Sequence, residues 1–105
     1  MSLRSLDKKT LLLDATAEAP GETFSVERSK GWTFVIATTV VGTATIDIEA
    51  YIGGIWFVIH SQDVSSVGSF MIRDDHGHYE KIRANISSYT SGTHSVYATG
   101  SVDSL

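Results

Sequence analysis

The sequence predicts an all-β fold, an antiparallel β-sandwich or jelly roll of about eight strands. Isoleucine, valine, threonine and aromatic residues recur in short alternating runs, which are typical of strands with one buried face. Clusters of glycine, serine and aspartate separate these runs at intervals of about 8–12 residues. The chain contains a single proline, and helix formers are sparse after residue 20. These features together favour two packed sheets.

The clearest strand pattern lies at residues 44–61, where two alternating runs flank Gly53 and Gly54. A Gly-Gly pair suits a two-residue hairpin turn, because both residues can adopt positive φ. The predicted register places Asp47 opposite His60. The predicted inward face is apolar and consists of Ile46, Ile48, Ala50, Ile52, Ile55, Phe57 and Ile59. The predicted outward face consists of Asp47, Glu49, Tyr51, Trp56, Val58 and His60. Such a hairpin requires a second layer over its apolar face.

The rest of the chain is predicted to supply that second layer. We expect residues 1–10 to form a flexible N-terminal arm and residues 11–105 to form one β-sandwich domain. The run WTFVIATT is apolar on both faces, which favours a central strand. Further strands are predicted at residues 10–15, 22–27, 32–39, 68–73, 78–88 and 93–102, with a loop at residues 62–67.

Composition excludes several classes of function. The 105 residues include no cysteine, so disulfides and cysteine-based zinc sites are excluded. The net charge is −4 and the charges are scattered, which argues against a nucleic-acid partner. No apolar run approaches the roughly 20 residues of a membrane-spanning helix. We therefore expect neither nucleic acid nor membrane as a partner.

Three groups of side chains could serve in metal binding or catalysis, and for each a purely structural interpretation is preferred. His76 and His78 follow Asp74 and Asp75 and could hold a metal, but a polar turn explains the same residues. The predicted pair of His60 and Asp47 lacks a nucleophile beside it. The carboxylate pairs Asp47/Glu49 and Asp74/Glu80 are spacings that exposed strands produce routinely. We predict no catalytic residue, no metal site and no cofactor.

The outward aromatic pair, Tyr51 and Trp56 with Val58 beside it, indicates a binding surface. Exposed aromatic side chains on a sheet can form a protein interface or stack against sugar rings. A covering loop or N-terminal arm is the alternative explanation. A protein interface is the favoured interpretation, and a carbohydrate-binding or adhesin-like module that uses Tyr51 and Trp56 is the rival.

The run YEKIRANISSYTSGT at residues 79–93 resembles a pattern of small tailed-phage and prophage virion proteins. In that group a strand carrying Arg-Ala-Asn between apolar residues enters a Tyr-Thr-Ser-Gly-Thr turn and leaves as the last strand. The resemblance implies a non-enzymatic β-sandwich subunit of head decoration, connector or tail type. It further implies a homo-oligomer docked on other particle proteins, located in the virion and assembled in the host cytoplasm. Arg83 then has a structural role, donating hydrogen bonds to turn carbonyls, or an interface role.

Overall fold

The computed structural model describes residues 3–26, 29–65, 68–74 and 79–104, with the backbone alone described at residues 3–8, 29–30 and 101–104. Within these ranges the chain forms eight strands and confirms the predicted antiparallel β-sandwich. The first sheet has the order β1-β8-β3-β6 and the second has the order β2-β7-β4-β5. The strands are β1 (Leu3–Ala15), β2 (Phe24–Ser25), β3 (Ser29–Val40), β4 (Ala44–Ile52), β5 (Ile55–Val64), β6 (Gly68–Asp74), β7 (Lys81–Tyr89) and β8 (Thr93–Ser104).

The core lies between the two sheets and follows the period-2 alternation of the central strands. In β3, Trp32, Phe34 and Ile36 point inward and are almost fully buried, while Val35 on the other face is half-buried. This strand lies between β8 and β6, as its two apolar faces predicted. From the first sheet, β1 and β8 add Leu11, Val96 and Ala98. The second sheet contributes the facing side chains, chiefly Ala44, Ile46, Ile48, Ala50, Ile82, Ala84 and Ile86.

The central hairpin forms as predicted at its turn and departs from the prediction further along. Gly53 and Gly54 both have positive φ, 60° and 88°, and Tyr51 lies opposite Trp56. A β-bulge then inserts Ile59, so Val58 lies opposite Glu49 while His60 lies opposite Ile48. The predicted pairing of His60 with Asp47 is therefore wrong, because one extra residue moves every later side chain of β5 to the other face.

The apolar face of the hairpin is buried along only part of its length. Ile46 and Ile48 are fully buried, but Ile52, Ile55 and Phe57 are 44%, 58% and 48% exposed. The prediction that all of these side chains face a covered core is wrong for the last three. Ile52 ends β4, and Ile55 and Phe57 lie at the start of the edge strand β5, so all three are at the turn end of the hairpin.

One side of the sandwich is closed by the segment between β1 and β2. Gly21 N donates to Ala84 O at 2.7 Å, and Glu22 N donates to Leu11 O at 3.1 Å. The segment therefore hydrogen-bonds both to β7 of the second sheet and to β1 of the first. Of the predicted strand at residues 22–27, the structure describes residues 22–26, and among these Phe24–Ser25 pair with β7 as a strand.

Residue 10 is not a boundary in the structure. The segment expected to be a flexible arm is the first part of β1, whose backbone pairs with β8 from Leu3 opposite Ser104 to Thr10 opposite Tyr97. The second sheet likewise extends further than predicted, since β5 continues to Val64 into the expected loop. In both places strand pairing satisfies the backbone of segments whose polar sequences gave no strand pattern.

Candidate functional site

The outward face of the second sheet gathers the residues that the sequence predicted for an interface. Strand β4 lies between β5 and β7, so each outward β4 residue has a neighbour on both sides. We call this area the second-sheet surface. It consists of the cross-strand rows Trp56–Tyr51–Lys81, Val58–Glu49–Arg83 and Ser61–Asp47–Asn85.

The aromatic row combines ring contacts with cations from β7. The ring centroids of Tyr51 and Trp56 are 5.2 Å apart, with the planes tilted by 59°. Lys81 Nζ lies 4.8 Å from the centroid of the Tyr51 ring, and the Arg83 guanidinium lies 4.0 Å from the Trp56 ring centroid. Cations at these distances are attracted by the negative face of an aromatic ring. One face of each ring is therefore occupied by a cation of the same chain.

Arg83 is held by Glu49, and this differs from the expected bond to turn carbonyls. Its Nε donates to Glu49 Oε1 at 2.6 Å, and Asn85 Nδ2 donates to Glu49 Oε2 at 3.5 Å. Glu49 is only 8% exposed, so its charge requires these donors. The pairing follows from the β4–β7 register, which places Glu49 directly opposite Arg83. The bond between Arg83 and Glu49 could be predicted from the sequence only if β4 and β7 were already known to be neighbours.

Truncation of Arg83 should expose the dependence of Glu49 on this bond. We expect Arg83→Ala to lower the free energy of unfolding by about 2–3 kcal/mol, because a nearly buried carboxylate loses its charged donor. Lys81→Ala is the matched control, since its cation lies over a partly exposed ring, and should change stability by less than about 0.5 kcal/mol. Urea unfolding followed by tryptophan fluorescence measures both. A double-mutant cycle with Glu49→Ala in which the two losses simply add would contradict the proposed coupling.

The carboxylates of the second-sheet surface are engaged by donors of the same surface. Ser61 Oγ donates to Asp47 Oδ1 at 2.6 Å, and in the row just beyond this surface Thr45 Oγ1 donates to Asp63 Oδ1 at 2.8 Å. Asp47 is 9% exposed. The other carboxylate considered from the sequence, Glu80, accepts a hydrogen bond from Gly53 N at 2.5 Å and so anchors the hairpin turn. These contacts stabilise the sheet, in agreement with the structural rather than the catalytic interpretation of the carboxylate spacing.

His60 lies between the sheets as a result of the bulge. Its ring centroid is 6.1 Å from that of Phe34, and its Nε2 is 3.5 Å from Asp74 Oδ2. The sequence prediction missed this pair because it placed His60 outward. The available signal was the unbroken apolar run Phe57-Val58-Ile59, which interrupts the alternation where the bulge occurs.

Asp74 also binds Tyr79, and this contact has a consequence at high pH. The Tyr79 hydroxyl donates to Asp74 Oδ2 at 2.5 Å. Burial, this hydrogen bond and the negative charge of Asp74 together raise the pKa of Tyr79 well above its ordinary value. The Tyr79 hydroxyl therefore keeps its proton in the folded protein at pH values where it ionises in the unfolded chain.

The raised pKa of Tyr79 predicts a loss of stability in alkali. The stabilising contribution is present below about pH 10, where an unfolded tyrosine begins to ionise, and is lost as the pH rises towards the folded value. The free energy of unfolding, measured in urea, should therefore fall less between pH 9 and pH 11 for Tyr79→Phe than for the natural chain. Equal losses in the two proteins would mean that Asp74 and burial do not hold the proton.

The sequence also predicted His76 and His78 as metal-ligand candidates, and both lie outside the described residues. Across residues 3–26, 29–65, 68–74 and 79–104, no group of three or more histidine, cysteine, aspartate or glutamate residues is placed to hold a metal ion.

A groove of about 590 Å³ lies between β1 and the following segment, lined by Thr10, Leu11, Leu12, Leu13, Pro20, Gly21 and Glu22. It contains none of the carboxylates or imidazoles singled out above. Among the residues that the structure describes, no helix has the length and apolar character required to span a membrane.

No protein-family model and no curated protein matches this sequence. Solved structures do resemble it. The chain is similar to the SPBc2 prophage-derived protein YomS, with a TM-score of 0.75 and 16% identity over 94% of this chain and 95% of that one. The two chains share a fold. It is also similar to PirA, with a TM-score of 0.52 and 16% identity over 91% of this chain and 92% of that one. A chain from Bacillus endospore appendages, described as disulfide-linked pili, aligns with a TM-score of 0.49 and 10% identity over 97% of this chain and 86% of that one.

Proposed function

We propose that this chain is a non-enzymatic structural protein of a phage-type particle and that it works through protein–protein contacts. The observation that carries the proposal is the composition of the second-sheet surface. Trp56 contacts both Tyr51 and Arg83 there, and these three residue types are the ones most enriched where protein interfaces derive their binding energy. The cation–π contacts hold the side chains in place before binding, which reduces the entropy lost on association.

Two further observations support the particle assignment. The sequence at residues 79–93 resembles small virion proteins, and the solved chain that shares this fold over 94% of the present chain is prophage-derived. The proposal includes what the resemblance implies in more detail. The chain is a head decoration, connector or tail subunit that self-associates, docks on other particle proteins and is assembled in the host cytoplasm. Val58, 55% exposed beside the aromatic row, extends the proposed contact surface.

The rival carbohydrate-binding function is less well supported by the geometry. A sugar ring that stacks on tryptophan or tyrosine needs an open ring face. Arg83 lies over Trp56 and Lys81 lies over Tyr51, so each ring offers at most one face to a ligand. Since Arg83 is already paired with Glu49, a protein partner that brings a carboxylate would meet the Lys81 cation beside the Tyr51 ring.

The proposal is tested by binding of the purified chain to particles made without it. We expect saturable binding by the natural chain and at least tenfold weaker binding by Trp56→Ala, because an aromatic anchor of a protein interface is removed. Met71→Ala is the control, since Met71 is 68% exposed on the other sheet. A glycan array on which the natural chain binds and Trp56→Ala does not, together with an absence of particle binding, would replace this proposal with the rival.

A further inference from the structure

Strand β5 is an edge strand whose first part carries no charge. Its partner is β4, and no described strand lies on its other side. Residues 55–59 are Ile-Trp-Phe-Val-Ile, without the lysine, proline or inward charge that usually protects an edge. The bulge comes after Val58, so the stretch Ile55–Val58 is regular backbone that can pair with another strand. The turn beside it is anchored by the bond from Gly53 N to Glu80.

The side chains around this edge form an exposed apolar area, which we call the β5 edge patch. It consists of Ile52, Ile55, Phe57 and Val58, which are 44%, 58%, 48% and 55% exposed. Val58 belongs to the outward face, while Ile55 and Phe57 belong to the inward face, so apolar surface borders the edge on both faces. A strand added here would have apolar neighbours above and below the sheet.

The size of the patch fits a contact between two copies. These side chains present about 300–400 Å² of exposed surface per copy, as judged from side chains of this size. Two copies that cover this surface bury about 700 Å² at most, and the paired backbone with the flanking Trp56 adds to it, which is the size of a small interface held together by strand pairing. One copy pairing with another also satisfies the unpaired backbone groups of both edges in a single contact.

Charge favours a second copy at this place over other parts of the surface. The chain carries a net charge of −4, so contact between two copies is favoured where no unpaired charge meets its like. The Arg83 cation over Trp56 is paired with Glu49 of its own chain. Antiparallel pairing about a two-fold axis at Trp56 places Ile55 of each copy opposite Phe57 of the other. The nearest acidic residue of β5 is Asp63, which is about 20 Å from that axis at the rise of a strand. No like charges on β5 are then brought together.

We infer that two copies of this chain pair through β5, antiparallel about a two-fold axis near Trp56, and join their second sheets into one continuous sheet. The inference rests on the proposed function and specifies how the copies contact each other. Its contact residues Ile52, Ile55 and Phe57 lie outside the second-sheet surface, whereas Trp56 and Val58 border both this contact and the proposed contact with the particle.

Light scattering after size exclusion tests the pairing. The natural chain should show a mass of about 23 kDa at micromolar concentration, twice the 11.4 kDa of one chain. Ile55→Asp should raise the dimer dissociation constant at least 100-fold, because two buried carboxylates would face apolar side chains, while Met71→Asp should leave it unchanged. A constant mass of 11.4 kDa up to hundreds of micromolar, a trimeric mass, or an unchanged dimer of Ile55→Asp overturns the inference.

Cross-linking locates the contact independently of stability. Because the chain has no cysteine, Phe57→Cys and Met71→Cys each provide one thiol. A short bis-maleimide should link Phe57→Cys into dimers and leave Met71→Cys as monomers, and the reverse result overturns the inference. A monomer that still binds particles rejects the pairing and keeps the proposed function, whereas a β5-linked dimer that never binds particles rejects the function and keeps the pairing.

Discussion

Ile48→Asp should leave the protein unfolded at 25 °C. Ile48 is fully buried between the sheets, and an aspartate there either loses its hydration or takes up a proton in an apolar site. The expected loss exceeds about 4 kcal/mol, a large part of the stability of a domain this size. Circular dichroism and urea unfolding at low micromolar concentration measure it. An unshifted urea midpoint would show that the inward face of β4 is assigned wrongly.

Ile55→Asp is the matched control for this experiment. The alternation of the sequence places Ile55 on the same face of the hairpin as Ile48, but the structure leaves it 58% exposed. At protein concentrations where the chain is monomeric, we expect its stability to change by less than about 1 kcal/mol. The two variants together separate the chemistry of the substitution from the burial of the site.

Gly42→Ala should strongly destabilise the protein although it adds only one methyl group. A methyl group on Gly42 would lie 2.2 Å from the Gly92 nitrogen and from the Ser91 carbonyl atoms, so backbone must move. This contact supports the corner at which Thr90 N and Ser91 N donate to Thr43 O at 2.9 and 3.2 Å. We expect a loss of about 3 kcal/mol or more in the free energy of unfolding, because the overlap cannot be relieved by a flexible side chain.

Gly53→Ala isolates the cost of backbone conformation from that of crowding. Gly53 has φ of +60°, but a methyl group there would have no atom within 4 Å. The expected loss is about 1–2 kcal/mol, the cost of a left-handed residue with a side chain. Urea unfolding of the two variants should therefore rank Gly42→Ala as the more destabilised. A smaller loss for Gly42→Ala than for Gly53→Ala would mean that the corner is not packed as described.

The residues that could be predicted from sequence are those governed by local alternation. The Gly53-Gly54 turn sets the register as far as Val58, and with it the outward placement of Tyr51, Trp56 and Val58. Beyond the bulge at Ile59 the predicted register is wrong, because one inserted residue moves every later side chain of β5 to the opposite face of the sheet. His60 was placed outward for this reason, and its contact with Asp74 was missed.

Features that depend on which strands are neighbours could not be predicted from one sequence. Arg83 was recognised as a candidate, but its bond to Glu49 requires the pairing of β7 with β4. The N-terminal residues looked like an arm because their sequence is polar, yet their backbone pairs with β8. Exposure of Ile55 and Phe57 likewise depends on where the first sheet stops, which alternation does not encode.

The most direct test of the account is a count of this chain in particles purified from the source organism, made by quantitative mass spectrometry against a major particle protein. The account predicts a constant whole-number ratio across independent preparations, which removal of free protein by gradient sedimentation does not change. A ratio that varies between preparations, or a chain missing from the particles, would contradict the proposal that it functions as a structural subunit.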